Sequence, residues 1–286
     1  MTAIIMDGRS YAKEIEEELK RSVKELESDG IKPTLATILV GNDPASVIYV
    51  NIKHNACERI GIRSRDYHLP EDTDEEKILN LIDELNEDKD VNGILIQLPL
   101  PSHIDAYNVL KRLNPKKDVD GLHPENLGKL YYNKCELIPC TPKGIIKLMK
   151  KYKIDVAGKK VVIVNMSNLV GKPLHQILIN EGALVTLCHV EMKELKELTR
   201  SADILVTAVG RRPQYVFTED MVKEGAVVID VGINRLSGKI YGDVDFDSVS
   251  KKASYITPVP GGVGPMTVAM LLENTIIATK IQMRSI

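Results

Sequence analysis

The sequence predicts an α/β protein built as two lobes, and three observations predict it. Short apolar runs alternate with helix-patterned segments along the chain, the arrangement that parallel strands and their crossover helices require. The 286 residues, 43% of them hydrophobic, are enough for a sizeable core and divide most simply into two lobes. Between Asn114 and Thr141 a stretch rich in Pro, Gly, Asn and charge separates two such alternating runs.

From Tyr11 to Asp29 the apolar Ile15, Leu19, Val23 and Leu26 recur at helical spacing among charges, so an amphipathic helix is expected to end near Gly30. A strand follows at "TLATILVG". In "NDPAS", Asp43 supplies a cap and Pro44 a first helical residue, opening a helix to about Ile60 that Gly61 ends. A strand at "SRDYHL", a helix from about Thr73 to Leu85 and an apolar strand "GILIQLPLP", stopped by its prolines, complete the first run.

The segment "NPKKDVDGLHPENLG" reads as an ordered loop joining the lobes. Beyond it, strands at "KVVIVN", "LVTLCH", "DILVTAV" and "AVVIDVG" alternate with helical or loop segments, the layout of a doubly wound, Rossmann-like nucleotide-binding sheet. The chain closes with "ITPVPGGVGPMT" and an apolar helix. No tandem repeat or low-complexity tract interrupts this order.

Charge excludes one class of partner. Lys and Arg total 38 against 40 for Asp and Glu, a net of -2, which leaves no cationic excess to neutralise a nucleic-acid backbone. The four cysteines, Cys57, Cys135, Cys140 and Cys188, form no CxxC pair and have no His spacing suited to a metal, so free buried thiols in a reducing compartment are expected. Asp7 and Arg9 interrupt the N-terminal apolar run before signal-peptide length, and no later stretch spans a bilayer, so no membrane partner and a cytoplasmic location are expected.

Four features carry possible chemistry. In "KKVVIVNMSNLVGKP" a strand meets a turn and a helix, yet of the glycines that usually let a backbone approach a pyrophosphate only Gly171 is present. The turn is a dinucleotide site, with helix-start N–H groups and the Ser167 hydroxyl as donors, or a plain strand-to-helix connection. Tyr49 and Lys53 lie four residues apart on one helix face, either framing a shared space or acting as a core tyrosine and a solvated lysine. Gln97 ends an apolar strand where open α/β sheets form ligand crevices, or it stabilises a turn. In "KKDVDG", Asp118 and Asp120 alternate about Val119 and, if extended, point the same way; a solvated charged loop is the alternative.

Together with the strings "DG" at Asp7–Gly8, "VGNDPASVIYVNIKHNACERIGI", "PCTPKGI", "DVGINR", "GDVDF" and "ITPVPGGVGPMTVAML", these residues resemble the bifunctional methylenetetrahydrofolate dehydrogenase / methenyltetrahydrofolate cyclohydrolase family, in order and over essentially the whole chain. The resemblance implies oxidation of 5,10-methylenetetrahydrofolate by hydride transfer to NAD or NADP, then hydrolysis of the methenyl cation to 10-formyltetrahydrofolate. It implies that Lys53 is the central catalytic lysine, that Tyr49 stacks near the pterin, that Gln97 contacts the lysine and that Asp120 grips the pterin. It further implies that Pro260, Gly261 and Gly264 line the folate site and that Asn165, Met166, Ser167, Gly171, Val190, Glu191 and Ile233 line the dinucleotide site, with no metal. The expected domains are a folate-binding catalytic domain, 1–140 completed by 265–286, and a dinucleotide domain, 141–264; a homodimer is expected by resemblance alone.

The chain departs from the family at informative places. The turn reads Asn165, Met166, Ser167 where members usually have Gly, a variable residue often Arg, then Ser; Asn tolerates positive φ, which is the expected way for the turn to survive. Members using NADP often place Arg at the position of Met166, or Ser or Arg at that of Val190, and neither is present. Instead Glu191 follows Gly171 by twenty residues, where a carboxylate holds the ribose hydroxyls of NAD and repels a phosphate, although Lys193, Arg211 and Arg212 lie within possible reach. Asn55 stands where the family often has a second lysine. A dehydrogenase without hydrolase activity and a non-catalytic folate or nucleotide sensor are the competing readings.

Overall fold

A computed structural model describes residues 2–284. The chain divides into two compact units, one of residues 1–12 and 141–267, the other of residues 13–140 and 268–286. The division falls inside helices α1 (Gly8–Ser28) and α10 (Val263–Met283). The sequence reading assigned residues 1–12 to the first domain. The two-residue strand β1 (Ile4–Ile5) instead pairs with β11 (Tyr255–Ile256), a partner some 250 positions away that no local pattern reveals.

The first-lobe unit holds a parallel sheet of β2 (Thr34–Val40), β3 (Arg63–Leu69) and β4 (Gly93–Ile96), in the order β3-β2-β4. Central β2 is buried at all seven positions, as a parallel strand covered on both faces must be, whereas edge strand β3 has no fully buried residue. Ile78, Ile82 and Leu85 of α3 (Glu75–Glu87) and Val109 of α4 (Ala106–Arg112) pack on Ala36, Ile38, Ile94 and Ile96 of the sheet. Each such side chain contributes about 1.5–3 kcal/mol by leaving water.

Helix α2 (Pro44–Ile60) leaves the C-terminal end of β2 as its sequence directs. The Asp43 carboxylate accepts the Ser46 N–H at 2.8 Å, and Gly61 closes the helix in the left-handed region at φ 93°, which a side chain would resist. The 114–141 stretch is not all loop. It contains α5 (Pro124–Tyr131) and leads into α6 (Cys140–Lys151). His123 caps α5 by accepting the Glu125 N–H on Nδ1 at 3.0 Å, while Asp118 accepts N–H bonds from Leu122, His123 and the Asn126 side chain. That short helix starts from local capping bonds rather than from a long apolar period.

The other unit holds six parallel strands in the order β1-β11-β8-β7-β5-β6, with β5 (Lys160–Val164), β6 (Leu184–Cys188), β7 (Ile204–Thr207) and β8 (Val227–Asp230). A hairpin of β9 (Asn234–Leu236) and β10 (Lys239–Tyr241) stands apart, and α7 (Gly171–Asn180), α8 (Leu195–Arg200) and α9 (Phe246–Val249) complete the unit. Val162, Val164, Leu205, Val228, Ile256 and Phe217 form its core. In both units the chain runs from a central strand to one side and then crosses to the other: β2 to β3 and then β4, β5 to β6 and then β7. Such reversals open a crevice beyond the strands' C-terminal ends. Among the described residues, no helix is long and apolar enough to cross a membrane.

Candidate active site

The first crevice collects the residues that the sequence singled out in the first lobe. Tyr49, Lys53 and Cys57 succeed one another at four-residue spacing along α2, and Gln97 follows β4 immediately. The Lys53 amine donates to Oε1 of Gln97 at 2.9 Å. The amide cannot turn its other end toward the lysine, because Nε2 donates to the Leu98 carbonyl at 2.7 Å and the Gln97 backbone N–H is held by Ile38. Gln97 therefore offers Lys53 an acceptor that is fixed in place and carries no charge.

Burial holds the Lys53 amine below its ordinary lysine range, against the opposing pull of the Asp120 carboxylate. The same burial pushes Asp120 up to about 6, although Lys53 and a hydrogen bond from Cys140 both favour its charged form. The pair thus lies nearer neutrality than two exposed groups would. Burial also pushes the Cys57 thiol up to about 12, which keeps it protonated and inert at neutral pH.

Asp118 and Asp120 do not act together. Asp118 is buried in the turn into α5 and spends its oxygens on Leu122, His123 and Asn126, while Asp120 faces the charge of Lys53. Neither lies in a solvated loop. Sequence reasoning missed two supports of this loop. Cys140, the thiol beside Asp120, stands in the "PCTPKGI" string, and Asn274 of α10 is fully buried and donates to the carbonyls of Val119 and Ile138 at 2.8 Å each. A polar residue inside an otherwise apolar terminal helix was the available signal.

The other unit carries the turn after β5. Asn165 does not take positive φ as expected, being absent from the left-handed residues. Its side chain organises the turn instead. Oδ1 accepts the Ser167 N–H at 2.9 Å, the Ser167 hydroxyl at 2.7 Å and the Gly171 N–H at 2.9 Å, and Nδ2 donates to the Ala208 carbonyl beyond β7 at 2.7 Å. One carboxamide bridges the point where the strand order reverses. Gly171 is obligatory here, since a Cβ would lie 1.9 Å from the Asn165 carbonyl oxygen. Helix α7 thus packs close to β5 as a dinucleotide turn requires. The Ser167 donors assigned to a phosphate are engaged by Asn165.

Around this turn Met166 and Ile233 are exposed, Val190 is buried with only 6% of its surface accessible, and Glu191 is exposed. Glu191 pairs with Arg211 at 3.2 Å, whereas Arg212 donates to the carbonyls of Gly242 and Val244 and lies over the Tyr241 ring. Of the two arginines, Arg211 is the one at the carboxylate. In the same unit Pro260 is exposed, Gly261 has φ 118°, and a Cβ on Gly264 would meet no protein atom within 4 Å. Among the described residues no group of three or more His, Cys, Asp or Glu is placed to hold a metal.

Comparison with known proteins identifies the family. Residues 6–120 match the family model for the tetrahydrofolate dehydrogenase/cyclohydrolase catalytic domain, and residues 139–283 match the model for its NAD(P)-binding domain. The bifunctional protein FolD of Aquifex aeolicus is 56% identical over 280 residues, covering 97% of this chain and 96% of that one. The crystal structure of the bifunctional FolD methylenetetrahydrofolate dehydrogenase/cyclohydrolase from Campylobacter jejuni is 51% identical with a TM-score of 0.94, covering 98% of this chain and 99% of that one. The Trypanosoma brucei enzyme, solved with NADP and an inhibitor, is 37% identical with a TM-score of 0.95 and 99% coverage of both chains. With both domain models matched in order and a relative this close over nearly full length, the chain belongs to the tetrahydrofolate dehydrogenase/cyclohydrolase family.

Proposed function

We propose that Lys53, fixed by Gln97 and faced by Asp120, carries the chemistry of both reactions of the family in this chain. The protein is an NAD(P)-dependent methylenetetrahydrofolate dehydrogenase and methenyltetrahydrofolate cyclohydrolase. It oxidises 5,10-methylenetetrahydrofolate to the methenyl cation and hydrolyses that cation to 10-formyltetrahydrofolate. The observation that carries the assignment of roles is the 2.9 Å contact of a part-buried amine with a neutral amide rather than a carboxylate.

In the hydrolytic step a neutral amine is needed, because only its lone pair can take a proton from water. Burial shifts the amine toward that form, and the bound methenyl cation disfavours the ammonium further as a like charge. Gln97 accepts one amine hydrogen and so turns the lone pair away from itself. Asp120, ionised above about pH 6, accepts two N–H bonds from the amino-pyrimidinone edge of the pterin and fixes the ring. Tyr49, half-buried one turn before Lys53, offers its ring face to the pterin.

When bound, the nicotinamide supplies the hydride acceptor. The residues that fit it are the Asn165–Gly171 turn at the α7 N-terminus, with Met166, Val190, Glu191 and Ile233 beside the crevice. Glu191 favours NAD, since its carboxylate accepts ribose hydroxyls and repels a 2'-phosphate. The protein acts in the cytoplasm as a homodimer, which light scattering of the purified chain tests.

The assay is direct. Purified protein is mixed with methylenetetrahydrofolate and NAD or NADP, and reduced nicotinamide and methenyltetrahydrofolate are followed by absorbance. Reduced nicotinamide with only transient methenyl product is expected; no turnover with either dinucleotide contradicts the reading.

A further inference from the structure

Two buried carboxylates at the C-terminal ends of β7 and β8 have no part in the chemistry above. Asp243 has no accessible surface and Asp230 only 3%. Asp243 accepts the backbone N–H of Val209 at 2.6 Å and of Gly210 at 2.9 Å, fixing the turn that follows β7, and it accepts the Asn234 side chain at 3.0 Å. Asp230 in turn accepts the N–H groups of Gly232, Asp243 and Val244 at 2.9–3.0 Å. The chain is cut to fit them: a Cβ on Gly232 would lie 2.2 Å from the Asp243 carboxyl carbon, and one on Gly242 1.9 Å from an Asp230 oxygen. Asn234 completes the clasp by accepting the Arg212 N–H at 2.7 Å. The strings "DVG" and "GD" are thus the two halves of one reciprocal fastening, each aspartate seated against the other's glycine.

This fastening fixes two segments, 207–212 and 230–234. The first follows β7, on one side of the strand-order reversal, and the second carries exposed Ile233. We propose that Asp243, backed by Asp230, is a positioning residue for the dinucleotide: it touches no reactant but holds the Val209–Gly210 turn and the Gly232–Asn234 strip in the shape that receives the cofactor. The proposal rests on the dinucleotide site assigned above. In Asp243→Asn an amide N–H faces the backbone N–H of Val209 or Gly210, and two donors cannot satisfy each other, so the turn must move. Burial pushes Asp230 up to about 7, which shows how little solvent reaches the fastening.

The test separates the two activities, because hydrolysis of methenyltetrahydrofolate needs no dinucleotide. NADH and NADPH are titrated calorimetrically into wild type and Asp243→Asn, and hydrolysis is measured without dinucleotide. The proposal expects the Kd of the better-bound dinucleotide to rise about tenfold, with dehydrogenase KM for it rising in parallel and hydrolysis within twofold of wild type. An unchanged Kd in a folded, hydrolytically active variant overturns it, as does an equal loss of both activities. If Asp243→Asn does not fold, the milder Asn234→Ser, which removes one donor to Asp243, must show the same split in smaller degree or the proposal fails. Wild-type protein that binds neither dinucleotide would instead refute the underlying site.

Discussion

The Lys53 amine and the Gln97 amide oxygen lie 2.9 Å apart, and the amide nitrogen is tied to the Leu98 carbonyl. This geometry decides which form of the lysine the pocket favours. A neutral acceptor orients the amine without stabilising its charge, so desolvation remains the largest influence on it. Gln97→Glu places a carboxylate there and holds Lys53 protonated. Hydrolysis at neutral pH is expected to fall by about 10²–10⁴, the usual worth of a general base, and to recover as pH rises. Lys53→Met is expected to lose hydrolysis to a similar extent while folate still binds. Stopped-flow decay of methenyltetrahydrofolate absorbance across pH 6–10 checks both.

Asp120 combines a binding role with a cost in stability. Its carboxyl is pushed up to about 6 from 3.8, so its folded form prefers the proton more than its unfolded form does. The resulting stability is fully present below pH 4, declines as pH rises through about 6 and is absent above it; by linkage the span is about 3 kcal/mol. Asp120→Asn has no such decline. At pH 8 the variant is expected to be about 1–3 kcal/mol more stable than wild type by urea denaturation, with folate affinity at least tenfold weaker. Wild-type folate KM is expected to rise as pH falls below 6, when the acceptor becomes protonated.

Asn165→Gly restores the family's usual residue and separates two effects. It removes the bond to Ala208 and the three bonds to Oδ1, and a loss of about 1–2 kcal/mol of stability is expected. It also releases the Ser167 hydroxyl and the N–H groups of Ser167 and Gly171 for a pyrophosphate, so dinucleotide Kd is expected to fall. Calorimetric titration and thermal melts of one preparation read both.

Glu191→Ala frees Arg211, whose guanidinium the carboxylate holds at 3.2 Å. Removing a repelling charge and releasing a cation act in the same direction. The ratio of kcat/KM for NADP over NAD is expected to rise about tenfold or more, equivalent to about 1.4 kcal/mol.

Lys117 tests the scaffold. Its amine, on a residue only 5% exposed, donates to the carbonyls of Leu85, Asn86 and Asp88 at 2.7–2.9 Å and so closes the C-terminal end of α3. Lys117→Met leaves three carbonyls without that donor and is expected to cost about 2–4 kcal/mol in urea denaturation, with kcat of the folded fraction unchanged.

These residues show what was legible in the sequence. Asp43 and Gly61 bounded α2 because a cap and a left-handed glycine act locally, and helical spacing then placed Tyr49 and Lys53 on one face. Gln97 was legible as the end of an apolar strand. The separate fates of Asp118 and Asp120 were not, since alternation assumes an extended chain and the chain here turns into α5. Nor was the role of Asn165: its conformational tolerance is a property of the residue, whereas the bond that anchors its amide nitrogen is made to Ala208, more than forty positions away. Pairings such as β1 with β11 and Asp230 with Asp243 belong to the same class. Local chemistry writes caps and faces into a sequence; contacts between distant segments leave only scattered polar residues and glycines as traces.

The central claim is that the pocket lowers the Lys53 amine from its ordinary lysine range and so favours its uncharged form, and NMR titration of the enzyme with 13C at lysine Cε, assigned by comparison with Lys53→Met, measures this directly. The account predicts one lysine resonance titrating below the ordinary 10.5 and moving up in Gln97→Glu. A Lys53 resonance that titrates at or above 10.5 would contradict it.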